Sequence, residues 1–273
     1  MSIKTIFILS FFILILSANE RIISLSPSIT EIIFALEKGE NLVATSSYSN
    51  YPPQAKKLPI IGGYTNPQLE KILSLAPTLV IGQTFNQSTL EKLRRFKIKT
   101  LKVKLKTIED IKKSIALIAR KIDSSKDAKL IQDITDATNK NSKTDKPHSV
   151  MIVYGLREDL RNATYIAGHN IFFEDIIHSC GNTNAYTAIS TAQPVLNYEN
   201  IIAINPDQII ILHSHATESN VDVQKALESW YKLPTNASRR GNISIVDKDY
   251  IHIPSHRIAL SIGVLCGEMG LYK

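Results

Sequence analysis

One polar, helix-patterned stretch, Ser124 to Lys143, constrains this 273-residue chain more than any other feature. Leu130, Ile131, Ile134 and Ala137 recur there at helical spacing, so a single helix would bury one narrow apolar stripe and leave its Lys and Asp residues in water. On both sides of it the same order repeats: short apolar run, turn, amphipathic run. A chain laid out in this way is expected to be an α/β protein of two Rossmann-like βα lobes bridged by a single long helix, with a groove between the lobes. The boundaries read as a first lobe at 19–123, a bridge at 124–145 and a second lobe at 146–273.

An internal repeat supports the pairing of lobes. Laying Leu69 to Gly82 over Tyr198 to Ile211 superposes Glu70 on Glu199, Ile72 on Ile201 and Pro77 on Pro206, at a constant offset of 129 residues. Both copies read helix, x-Pro-x, buried strand. In the first lobe, Arg21 to Leu25 predicts a strand, and Ser28 or Thr30 could cap a helix over Glu31 to Leu36. Strands at Leu42–Thr45, Leu79–Ile81 and Thr100–Lys104 follow, with a Pro-broken loop carrying Tyr48 and Tyr51 between the first two. The second lobe opens with a strand at Ser149–Tyr154 and continues through a helix ending near Cys180.

Composition excludes several classes of function. The formal charge of +7 is spread over amphipathic segments such as Leu90 to Lys106 and does not cluster with aromatics, so nucleic acid is not an expected partner. Residues 1–18 combine Lys4 with a continuous apolar run from Ile6 to Leu16 and end in Ser17 and Ala18, the pattern of a signal peptide; a retained membrane anchor is the other reading. Export makes a bridge between the only two cysteines, Cys180 and Cys266, plausible chemistry, with two buried thiols as the alternative. No Ser/His/Asp set, paired acid and base or phosphate-cradling loop is evident, so a binding cleft is expected and not an enzyme.

Ligands of such sheets bind where loops leave the carboxyl ends of the strands. That rule selects Tyr48, Tyr64 and Gln83 in the first lobe, and Tyr154, His213, His215 and the Asp249–His252 loop in the second. Arg157 could meet an anionic ligand or pair with its neighbours Glu158 and Asp159.

At these residues the chain resembles the periplasmic binding proteins of ATP-driven importers for vitamin B12, ferric siderophores and haem. The resemblance spans nearly the whole mature chain and is strongest at Arg21–Leu36, Ser46–Lys57, Asn66–Ile81, the Cys180–Gly181 pair and Pro254–Cys266. It implies the helix-bridged two-lobe fold with limited hinge motion. It also implies a Cys180–Cys266 disulfide, a corrinoid contact at Tyr48, and a second ligand loop comprising Asp249, Tyr250, Ile251, His252 and Ile253. Glu70 and Glu199 match the carboxylates that dock, one per lobe, onto arginines of the membrane subunits. Where the family's B12 binders carry three cleft tryptophans, this chain has Tyr64, Gln83 and Gln193.

The implied function is the extracytoplasmic substrate-binding component of an ABC importer, capturing a metal chelate, corrinoid first, and delivering it to a permease dimer with cytoplasmic ATPase subunits. Ferric siderophore, haem or a nickel or cobalt chelate is the alternative cargo; a bare-ion binder and a chelatase-like enzyme are remoter readings. His213 and His215 could ligate the chelate's metal, joined on ferric iron by Tyr250. The metal belongs to the cargo, so no resident cofactor is expected. The mature chain is expected to be periplasmic, soluble and monomeric.

Overall fold

A computed structural model describes residues 20–140, 146–161, 163–188, 193–214 and 221–272. The leader at 1–18 and His215 lie outside the described residues. A four-stranded parallel sheet forms first, in the order β2 (Leu42–Ala44), β1 (Ile22–Ser24), β3 (Leu79–Gln83), β4 (Lys99–Val103). Its strands lead into α1 (Pro27–Ala35), α2 (Leu69–Ser74), α3 (Gln87–Arg95) and α4 (Ile108–Lys121). The second sheet has a parallel centre of β10 (Ile243–Asp247), β9 (Gln208–His213) and β5 (Ser149–Tyr154). It is extended by antiparallel β6 (Thr164–Ile166) and by β8 (Val195–Leu196), while the short β7 (Thr183–Asn184) pairs with β5 to one side.

The two faces of each sheet come directly from alternation along the strands. Val150 and Ile152 of β5, with Ile210 and Leu212 of β9, face one core, and Met151, Val153, Ile209 and Ile211 face another that holds Trp230. In the first lobe Ile22, Leu79 and Ile81 point one way, and Ile23, Leu25 and Val80 the other.

The bridge is α5 (Asp127–Lys140), and only Ile134 of it is fully buried, as its narrow stripe requires. It packs between α4 of the first lobe and α10 (Ile258–Met269) and α6 (Phe172–Ser179) of the second. Consequently one apolar core runs without a break from Ile29 and Ile33 of α1 through Ile115, Ile134 and Ile176 to Ile262 of α10. Two hydrogen bonds stitch the lobes beside it: Phe172 N donates to Lys106 O at 2.7 Å, and Ile108 N at the start of α4 donates to Asp175 Oδ2 at 2.7 Å. Cys180, just past α6, is bonded to Cys266 of α10 with their Cα atoms 5.2 Å apart.

One local expectation changes. The N-cap of α1 is Ser26, whose Oγ accepts from Ile29 N, and Pro27 occupies the first helical position. Proline's fixed φ and missing N–H suit that position, so the helix starts earlier than a cap at Ser28 or Thr30 would allow.

Candidate functional site

Between the lobes lies a cleft of about 860 Å³. Its first-lobe wall is aromatic: Tyr48, Tyr64 and Phe85 all face it, and the rings of Tyr64 and Phe85 meet edge to face with centroids 5.9 Å apart. Tyr64, in a loop, and Gln83, the last residue of β3, are 19 residues apart, yet one buried side chain joins them. Asn86 Oδ1 accepts from Gln83 N at 2.9 Å, and its Nδ2 donates to Tyr64 O at 2.8 Å. Gly82 makes room for this clamp, since a Cβ there would sit 3.1 Å from the Asn86 side chain. Tyr48 projects into solvent, 75% exposed, from a left-handed backbone at φ 67°. That conformation is costly for a tyrosine; on either side of it Thr45 and Ser49 are anchored in a buried hydroxyl web, in which Thr45 Oγ1 bonds both Thr30 and Ser49.

The second-lobe wall carries Gln193, His252, Ile253 and Pro254, with Ile171 and Phe172 at the hinge end. Tyr154 does not line the cleft. Its ring packs beneath, 5.7 Å from His252 and 5.5 Å from Phe173. The Tyr154 Oη is buried without a hydrogen bond of acceptable geometry, and the nearby Gln193 amide tempers but does not prevent the effect of burial, which pushes the phenol up to about 12. Burial, with the neighbouring charge of His213, pushes His252 down to about 4, so a neutral imidazole faces the cleft at physiological pH.

Behind this wall, a buried ion pair crosses between the lobes. Arg257 Nε donates to Glu31 Oε2 at 3.0 Å, its Nη2 donates to Glu31 Oε1, and Ser255 Oγ donates to Glu31 Oε2. The guanidinium also lies 3.9 Å from the Tyr51 ring centroid and 3.3 Å from Asp249. Burial raises Glu31 and the bonds from Arg257 and Ser255 only partly reverse this; burial works to lower Arg257, but Glu31 and Asp249 outweigh it and raise it. These directions pull apart on whether the carboxyl is ionised. The geometry favours the ionised pair, because three donors converge on this carboxyl and a protonated acid would have to fit its own hydrogen among them.

Of the residues selected from the sequence, Tyr48, Tyr64, Gln83, Gln193, His252 and Ile253 face the cleft. Asp249 and Tyr250 are turned toward Arg257, with the Tyr250 ring centroid 5.3 Å away, and Ile251 is fully buried in the core. The loop turns at Ile251, so it delivers His252 and Ile253 to the cleft and not all five. His213 ends β9 near His252 and does not line the cleft. Among the described residues no group of three or more His, Cys, Asp and Glu could hold a metal ion. Arg157 lies over the Tyr165 ring at 5.8 Å, outside the cleft.

Sequence reasoning missed Ser28, Phe85, Lys104 and Lys106, all cleft-lining. They lie one to four residues past the ends of β1, β3 and β4, Ser28 already inside α1, so the carboxyl-end rule, applied up to four residues further along, would have found them. Outside the cleft, Glu70 and Glu199 are exposed second residues of α2 and of α7 (Tyr198–Ile204). The internal repeat thus becomes a matched carboxylate on the first turn of a helix in each lobe.

Residues 22–250 match the family model described as periplasmic binding protein. The vitamin B12-binding protein of Vibrio parahaemolyticus is 28% identical over 90% of this chain and 88% of its own length. In structure, the periplasmic haem-binding protein from Roseiflexus sp. RS-1 is 28% identical with a TM-score of 0.73, covering 92% of this chain and 98% of the other. The periplasmic haem-binding protein of Vibrio cholerae, 22% identical with a TM-score of 0.78 over 92% of this chain and 99% of its own, shares the fold. With this fold, this cleft and a family match across most of its length, the chain belongs to the periplasmic binding proteins and is a binding protein, not an enzyme.

Proposed function

We propose that this chain is the extracytoplasmic substrate-binding component of an ABC importer, capturing a metal chelate between its lobes and delivering it to a permease dimer served by cytoplasmic ATPase subunits. The 1–18 leader is removed, and the mature periplasmic chain holds its ligand between lobes 19–123 and 146–273 on either side of the 124–145 bridge. The observation that carries this reading is the cleft of about 860 Å³, walled by exposed aromatic rings on one lobe and by His252 and Ile253 on the other. Such a site suits a large, flat, partly apolar ligand. A corrinoid is the first candidate, in line with the B12-binding relatives.

A second reading, haem or a ferric, nickel or cobalt chelate, is favoured by one feature. Tyr64, Gln83 and Gln193 place hydroxyl and amide groups where the family's B12 binders carry tryptophans, and His252 adds a neutral imidazole to the cleft. The seam of apolar packing and hydrogen bonds between the lobes restricts the motion on capture to a small rotation. Glu70 and Glu199 are the docking carboxylates, one per lobe, for basic groups of a two-fold permease.

The test is titration of the mature protein with cobalamin, haemin, ferric siderophores and nickel salts, followed by visible absorption and intrinsic fluorescence. Saturable binding of one chelate at micromolar concentration or below is the expected outcome. Silence toward all four overturns the ligand class.

A further inference from the structure

The first turn of α1 opens into the cleft, and its polar groups are left over. Ser26 caps the helix and accepts from Ile29 N, Pro27 has no N–H, and Thr30 N is bonded to Ser26 O. The Ser28 N–H is therefore the unused donor of that turn. The Ser28 hydroxyl is also unpartnered, although the residue is only 4% exposed, and that small opening is to the cleft it lines. A hydroxyl and an amide without a partner in the protein, at the positive end of a nine-residue helix, call for an acceptor.

Charge in the cleft points the same way. Among the described lining residues there is no Asp or Glu, and the charged ones are Lys104 and Lys106, on the crossover from β4 to α4. Lys104 is held by Asp110 at 3.0 Å. Lys106 lends its backbone carbonyl to Phe172 N, but its ammonium has no acidic partner among the described residues. The cleft is thus lined by one uncommitted cation and one uncommitted helix N-terminus.

We propose that Ser28 and Lys106 form an oxyanion subsite, which holds an ionised carboxylate or phosphodiester substituent of the bound chelate while the aromatic wall holds its ring. The inference rests on the chelate-binding reading and adds a specificity to it: a chelate with an acidic substituent is preferred over its neutralised form. Two ligands supply that chemistry from different sources, a porphyrin through carboxylates on its rim and a corrinoid through the phosphodiester of its nucleotide arm.

The test compares each ligand with a partner that lacks the anion: haemin against its dimethyl ester, and cobalamin against cobinamide. Wild-type mature protein should bind the anionic member of its preferred pair about tenfold or more tightly than the other, the effect of one charge-assisted contact in a partly desolvated site. In Ser28→Ala/Lys106→Met the ratio should fall to within about threefold, through weaker binding of the anionic member. A ratio that stays the same in the variant overturns the subsite. A separate readout needs no chelate: in ¹⁵N-labelled protein the Ser28 amide should shift saturably with added inorganic phosphate, and this response should weaken in Lys106→Met. If no chelate binds but Ser28 responds in this way, the subsite stands and the chelate reading falls. If neither the ratio nor the Ser28 amide responds, the subsite falls on its own.

Discussion

Removing the guanidinium from the interlobe ion pair should be among the costliest single changes in this protein. The side chains of Glu31 and Arg257 are 1% and 6% exposed, and Arg257 Nε and Nη2 are two of the three donors on that carboxylate. Arg257→Met leaves Glu31 buried with Ser255 alone, which costs about 3–5 kcal/mol. It also removes the cation held 3.9 Å above the Tyr51 ring, worth about 1–2 kcal/mol at a desolvated site. Glu31→Gln should cost less, about 1–3 kcal/mol, because Asp249 at 3.3 Å remains as a counter-charge for the guanidinium. In the double variant no unpaired charge is left buried, so its loss should fall short of the sum of the single losses by about 2 kcal/mol or more. Urea unfolding followed by Trp230, fully buried in the second lobe, and by circular dichroism measures all four proteins. A loss below about 1 kcal/mol for Arg257→Met, or strict additivity in the cycle, would refute the view that this pair joins the lobes.

Acidification should destabilise the fold through two histidines. His252 and His256 are pushed down to about 4, by burial first and then by the charges of His213 and Arg257 respectively. An unfolded histidine titrates near 6.5, so between about pH 6.5 and 4 the unfolded chain takes up protons that the fold refuses, and stability falls as pH falls. Unfolding free energies at pH 7 and pH 5 should differ by about 2 kcal/mol per histidine, and His252→Asn/His256→Asn should lack most of the slope. Replacing Cys180 and Cys266, which are 86 residues apart, with alanines should cost about 4 kcal/mol by the loop-entropy argument, read as a lower urea midpoint; an unchanged midpoint contradicts it. Glu70→Lys/Glu199→Lys should leave chelate affinity within about twofold while capture by permease-containing vesicles drops at least tenfold, and equal capture would remove these residues from the docking surface.

Much of the architecture was legible because it follows from periodicity. The runs at Leu79–Ile81 and Ile209–Leu212 are apolar on both faces, as strands buried between two helical layers must be, and the narrow stripe of the bridging helix gave its position. The short strands β6, β7 and β8 escaped notice, since two or three residues carry no readable alternation. β10 and the helix over Val223–Tyr231 also went unread, although Val223, Ala226, Leu227, Trp230 and Tyr231 recur at helical spacing behind the cap Asp222.

The site was half readable for a related reason. Tyr64 and His252 announce themselves by residue type at strand ends, whereas Ser28 looks like an ordinary helix cap until Ser26 is seen to hold that position. The Glu31–Arg257 pair joins residues 226 apart, and nothing in either local sequence predicts the other. In the Asp249–Ile253 loop, residue types suggested five ligand contacts, but the backbone turns Ile251 into the core and Asp249 and Tyr250 toward the guanidinium.

Hydrogen–deuterium exchange of the mature protein, with and without the chelate that binds it, tests the central claim most directly. Capture between the lobes predicts protection that appears together on both walls: at Ser26–Ser28, Gln83–Phe85 and Lys104–Lys106 of the first lobe and at His252–Pro254 of the second. Protection confined to one lobe, or appearing on a surface away from these segments, would contradict it.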